Sequence, residues 1–170
     1  MPRKSPLALI LLGGLMLAGL LIWQILVAGQ ASSVPVIING TAVPSLPTLD
    51  GNAVSQGAAL YQQSCAVCHG LELQGAPNWK TPLPDGSFPP PPHDDSGHTW
   101  HHPDFLLLQI MTDGGKKVYD GTMPAFGEQL TPDELRAILE FLKSNWNTDA
   151  REFQWWITNT YPTPTPGPDA

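Results

Sequence analysis

The sequence predicts a small all-α domain of several short helices and long loops, preceded by an N-terminal transmembrane helix. Three observations carry that prediction. Leu7 to Val27 is an apolar run broken only by Gln24, about the length a helix needs to cross a bilayer. Cys65-Ala66-Val67-Cys68-His69 sets two thiols three positions apart with an imidazole directly after the second, at the end of a stretch with helical spacing. Thr131-Pro132-Asp133-Glu134 has the form of a helix start, and Leu135, Ile138, Leu139 and Leu142 then fall on one helical face.

Composition bounds the rest. The chain has 170 residues and a formal net charge of −7. Arg3 and Lys4 stand before the apolar run, so the remainder is more acidic than the total suggests. Such a surface argues against nucleic acid and favours basic or neutral partners. Most of the 19 prolines fall in the linker, a middle loop and the tail, which leaves a packed part smaller than the length implies.

Taken in order, residues 1–29 read as a signal-anchor helix. Arg3 and Lys4 would keep the N-terminus cytoplasmic and direct the rest of the chain across the membrane. A cleaved signal peptide is the rival, with Ala28-Gly29-Gln30-Ala31 supplying small residues after the run, but the run is longer than a signal core. The expectation is a single-pass protein of the cytoplasmic membrane with residues 53–148 on the extracytoplasmic, periplasmic side. Residues 30–52 carry Ser32, Ser33, Pro35, Asn39, Gly40, Pro44, Ser45 and Pro47 and read as a flexible tether, with Val34 to Ile38 as a short extended piece at most.

Val54 to Cys65 reads as a short helix leading into Cys65–His69. These are the only cysteines, so a zinc site would lack its second pair. A thioredoxin-like pair would want a βαβ context, which is not visible. A structural disulfide is the third alternative. Covalent haem explains the spacing best: each thiol can add across one haem vinyl group, and His69 is then held under the iron as a ligand.

After the motif, Thr81 to Pro92 ends in four consecutive prolines and must be loop or polyproline, most simply a rigid loop over the haem edge. His93, His98, His101 and His102 lie within ten residues together with Asp94 and Asp95. They read either as a copper or zinc site or as a polar loop whose histidines and Trp100 donate to haem propionates. Pro103 to Met111 reads as a buried helix with Pro103 first, Asp104 on the first-turn dipole, and Gly114 and Gly115 as its stop. Met111 reads as core filling. Residues 149–160 hold Phe153, Trp155 and Trp156, which should pack on the domain, dip into the bilayer interface or dock a partner. Residues 161–170, with alternating Thr and Pro, read as a disordered tail.

Gly57 to Gly70 resembles the first helix and haem motif of class I c-type cytochromes, above all the membrane-anchored bacterial monohaem domains beside or fused to quinol-cytochrome c and haem-copper oxidase systems. The resemblance covers about residues 52–146. It implies a cytochrome c-like fold around one haem c, bound through Cys65 and Cys68. It makes Gly57 the glycine over which an aromatic of the last helix, here Phe141, approaches closely. Gly75-Ala76-Pro77-Asn78 is similar to a segment whose proline carbonyl accepts the second ring N–H of the haem histidine, which would give that role to Pro77. Gly121-Thr122-Met123-Pro124-Ala125-Phe126-Gly127 looks like the loop of the axial methionine, with Met123 opposite His69. The resemblance also implies a single-electron carrier of a respiratory chain, not an enzyme by itself. Its partners would be a quinol-oxidising complex, a haem-copper oxidase or a soluble cytochrome. Two other readings stand beside it: small-ligand sensing at an open sixth position, and copper handling by the histidine cluster.

Overall fold

The computed structural model describes residues 36–161, and the apolar run Leu7 to Val27 and the tail from Pro162 lie outside it. Among the described residues no helix is long and apolar enough to cross a membrane. The regular elements of the described chain are helical apart from one small hairpin: β1 (Ile37–Ile38) and β2 (Thr41–Ala42), then α1 (Gly51–Ser64) and α2 (Ala66–His69). A 3-10 turn (Thr99–His101) leads to α3 (Asp104–Asp113), α4 (Gly115–Tyr119), α5 (Pro132–Ser144) and α6 (Thr148–Thr160).

The helices start where the sequence provides caps. The Asp50 carboxylate accepts from the Asn52 N–H at 2.8 Å and opens α1. Thr131 and Glu134 form a reciprocal capping box on α5: the Glu134 carboxylate accepts from the Thr131 N–H at 2.8 Å, and the Thr131 hydroxyl accepts from the Glu134 N–H. Such a box satisfies two of the four amides a helix start leaves unpaired. Asn147 caps α6 through the Ala150 N–H at 2.9 Å. Gly114 ends α3 as expected, at φ +79. Gly115 does not prolong the stop: it begins α4, whose lysines Lys116 and Lys117 pair with Asp120 and Asp113 on the surface.

The core lies between α1 and α5. Leu135, Ile138, Leu139 and Leu142 of α5 are all buried, as their spacing predicts, and Tyr61 of α1 is 1% exposed. Gly57 allows the two helices to meet: a Cβ there would come within 1.9 Å of the Ala137 carbonyl oxygen and 2.9 Å of the Phe141 Cβ. Phe141 then packs on Tyr61 with ring centroids 5.3 Å apart. Met111 is buried in the same core.

The tether expected up to residue 52 is structured over its described part. Asn39 and Gly40 both take positive φ and close a two-residue turn, which sets Ile38 against Thr41 and Ile37 against Ala42. Asn-Gly favours this turn because both central residues need φ above zero. Val43, directly after β2, is buried with Trp156 and Ile157 of α6, and Arg151 donates to the Pro47 carbonyl at 3.0 Å. Of the three fates open to the α6 aromatics, the structure shows packing on the domain: Trp156 is buried, and Phe153 and Trp155 are half-buried.

One polar knot ties α3, α5 and α6 together. Asp104 accepts from Lys143 at 2.7 Å and from the Gln154 amide. The Asp104 N–H donates to the Thr158 hydroxyl at 3.1 Å. Gln154 is 2% exposed, and its amide also donates to the His102 carbonyl at 3.2 Å. A buried amide without such partners would cost about 1–3 kcal/mol.

Candidate haem-attachment site

Cys65, Cys68 and His69 come together because the chain turns tightly at the end of α1. Cys65 closes α1 through its N–H to the Tyr61 carbonyl, and α2 carries the next four residues as one turn. Gly70 then breaks the turn at φ +82, and its carbonyl accepts from the Tyr61 hydroxyl at 3.0 Å. The two thiols are free. Cys68 is exposed and Cys65 half-buried. Burial, and secondarily the neighbouring Cys68, push the Cys65 thiol up to about 11, so Cys65 is a thiol and not a thiolate at neutral pH.

His69 is 7% exposed. Its Nδ1 lies 2.9 Å from the Pro91 carbonyl oxygen. A carbonyl only accepts, so this contact requires a protonated Nδ1 and leaves Nε2 as the nitrogen with a free lone pair, as metal ligation needs. Burial lowers the His69 pKa and the Pro91 bond opposes that shift, so the ring is neutral at neutral pH.

The acceptor is therefore Pro91, not Pro77. Pro77 is exposed, in a turn whose next residue, Asn78, takes φ +57. Two constraints produce this. The Ala76 N–H bonds to the Pro90 carbonyl at 2.8 Å, which lays the four-proline run against the loop after the motif and leads Pro77 outward. Gly75 and Gly97 let the run lie close, since a Cβ on either would meet Pro92 backbone atoms at 2.4 and 2.1 Å. Proline residues lack the N–H that would draw neighbouring carbonyls into a helix ladder, and the Pro91 carbonyl is one that His69 can use.

Met123 is half-buried and packs against the same core as Cys65. Its loop is fastened to the end of α3. The Gly115 N–H donates to the Met123 carbonyl at 2.8 Å, Phe126 N–H to the Met111 carbonyl at 2.9 Å, and Gly127 N–H to the Thr112 carbonyl at 3.1 Å. Gly114 is needed for the approach, because a Cβ there would lie 2.9 Å from the Met123 carbonyl oxygen and 2.8 Å from the Ala125 nitrogen.

The histidine loop is used for packing. His93 stacks on His69 with ring centroids 4.0 Å apart, and its Nδ1 is 2.8 Å from the Thr99 hydroxyl. His98 stacks on Trp79 at 5.1 Å. His101 packs edge-on against Trp100 and Phe153. Among the described residues no group of three histidine, cysteine or acidic side chains converges on a common point, so the copper or zinc reading has no ligand set there. Pro91, His93 and Thr99 are the partners that sequence reasoning missed. The four-proline run directly before His93 was the one available signal.

The donors fit a haem. Two unpaired thiols and an imidazole with Nε2 free stand on one turn. Among the described residues the indole N–H groups of Trp100, Trp155 and Trp156 are buried with no acceptor, and His98 Nδ1 is buried with no partner; of these, Trp100 and His98 belong to the histidine loop. A buried unpaired donor is costly, and a carboxylate-bearing ligand answers that need.

Comparison with known proteins agrees. Residues 52–142 match the family model described as cytochrome c oxidase, cbb3-type, subunit III. A cbb3-type cytochrome c oxidase subunit FixP of Sinorhizobium medicae (strain WSM419) is 27% identical over 103 residues, which cover 58% of this chain and 32% of that protein. The chain thus matches about a third of the length of this relative. No solved structure matches.

Proposed function

Because the chain belongs to the cbb3-type cytochrome c oxidase subunit III family, we propose that it is a membrane-tethered monohaem c-type cytochrome delivering single electrons to a haem-copper oxidase. The observation that carries this reading is the 2.9 Å contact between His69 Nδ1 and the Pro91 carbonyl beside two free thiols. Haem c, when bound, supplies an iron that cycles between two oxidation states. Cys65 and Cys68 would hold it covalently, and His69 would ligate through Nε2 with its tautomer fixed by Pro91. Met123, on a loop fastened to α3, would supply a soft thioether as the other iron ligand. That ligand favours the reduced state and disfavours chemistry with oxygen at the iron. The Leu7 to Val27 run anchors the chain in the cytoplasmic membrane and keeps the haem domain outside it.

The test is oxygen uptake by membrane vesicles that contain a haem-copper oxidase and lack their own cytochrome donor. The full chain, matured with haem, should restore uptake driven by a reduced dye, and the Cys65→Ser/Cys68→Ser variant should not. Equal uptake with both would refute the reading.

A further inference from the structure

His69 is gripped twice by one short segment. The Pro91 carbonyl oxygen lies 2.9 Å from its Nδ1, at the ring's edge, and two residues later His93 lies on the face of the ring, with centroids 4.0 Å apart and planes tilted by 26°. We propose that His93 is a positioning residue that fixes the ring plane of His69, and with it the orientation of the imidazole toward the iron. The proposal rests on the haem reading of this site.

The two contacts constrain different motions. A single hydrogen bond to Nδ1 fixes the tautomer and one point of the ring, but the imidazole can still swing about the line through that point. A flat ring stacked on its face removes the swing. Groups that orient a ligating imidazole also tune its metal, so fixing the ring of His69 would bear on the electronic structure of a bound iron as well as on local packing.

His93 can impose this because it is itself held at several points. Its N–H donates to the Leu73 carbonyl at 2.8 Å. Its carbonyl accepts from the Trp146 indole N–H at 2.8 Å. Its Nδ1 meets the Thr99 hydroxyl at 2.8 Å, and that hydroxyl donates onward to the Pro92 carbonyl at 3.4 Å. With the hydroxyl proton committed to Pro92, the Thr99 oxygen accepts from His93 Nδ1–H. Tyr61 closes another side, edge-on with centroids 6.3 Å apart. Leu73 precedes the proline run and Trp146 ends the stretch after α5, so the stack is tied to both sides of the domain.

The experiment compares the haem-loaded full chain with His93→Phe, His93→Leu and Thr99→Val. Electron paramagnetic resonance of the ferric form and the midpoint potential are the readouts, with melting temperature beside them. Covalent haem is first checked by its alkaline pyridine spectrum. Phe keeps a flat ring on His69 and should preserve the wild-type g-values and potential. Leu fills similar space without a stacking face. It should change the spread of g-values or split the signal into more than one species, and move the potential. Thr99→Val keeps the ring but frees it, and should broaden the signal. That variant carries the test if His93→Leu does not accumulate. Wild-type g-values and potential in His93→Leu, or unaltered spectra in Thr99→Val, would overturn the proposal even if melting falls, since a packing role alone moves only the melting. Wild-type chain without covalent haem would overturn the functional reading and this one with it. The pyridine spectrum separates that failure from a failure of the stack.

Discussion

Gly57 and Ala137 lie so close that a Cβ on Gly57 would come within 1.9 Å of the Ala137 carbonyl oxygen. The obstacle is helix backbone, which cannot turn aside as a flexible side chain would. Gly57→Ala therefore has to push α1 away from α5, and overpacking of this kind costs about 1–3 kcal/mol. For a domain of this size that corresponds to a fall in melting temperature on the order of 10 °C. Ala at position 51, where a Cβ meets nothing within 4 Å, should be neutral or stabilising. Thermal denaturation of the two variants checks this, and equal melting would mean that the two helices cross more loosely than this contact requires.

The Met123 loop depends on Gly114. Its φ of +79 and the contacts a Cβ would make with the Met123 and Ala125 backbones both exclude a side chain. Gly114→Ala should weaken the sulfur-to-iron charge-transfer band of the ferric protein and lower its potential, while covalent haem attachment persists. Met123→Leu should abolish the band. A band retained in Met123→Leu would move the sulfur ligand elsewhere, with Met111 the remaining methionine of the domain.

Asp104 gathers α3, α5 and α6 through Lys143, Gln154 and Thr158. Asp104→Ala leaves the Lys143 ammonium, 13% exposed, and the Gln154 amide short of a partner. The expected loss is about 2 kcal/mol, in the range for hydrogen bonds to charged groups. Hydrogen exchange should quicken first in α6. Uniform exchange across all helices would show that the knot stabilises the domain as a whole.

Acid should destabilise the fold before its carboxylates titrate. Burial is the largest cause of the lowered pKa of His93, His98 and His102, with neighbouring histidines adding to it. The folded state therefore favours the neutral rings. Their contribution is fully present above the unfolded value of about 6.5 and is lost as pH falls below it. Asp85 and Glu134, whose pKa values are also lowered, lose their contributions only below the ordinary carboxylate range. Denaturant midpoints should thus drop between pH 7.5 and pH 5.5. A flat profile over that interval would show that the histidines ionise freely in the fold.

What the sequence made legible was local chemistry. The Cys65–His69 turn, the capping box of Thr131 and Glu134 and the one-sided leucines of α5 each state their geometry within a few residues. The Gly57–Phe141 approach was legible through resemblance alone. The His69 acceptor was not, because every residue has a carbonyl and only the path of the chain decides which one arrives. Gly75 and Gly97 decided it for Pro91. The four histidines left two readings open because crowding in sequence does not decide between convergence and packing; His93 stacks on His69, His98 stacks on Trp79 and His101 packs edge-on against Trp100. Asn39-Gly40 is a strong hairpin signal that short flanking strands obscured.

The central claim is that one covalent haem on Cys65, Cys68 and His69 exchanges single electrons. An optical redox titration of the purified, haem-loaded full chain tests it most directly. The expected result is a single wave with a one-electron slope and a low-spin reduced spectrum that resists extraction of the haem. Two waves, a high-spin reduced spectrum or haem that extracts freely would contradict it.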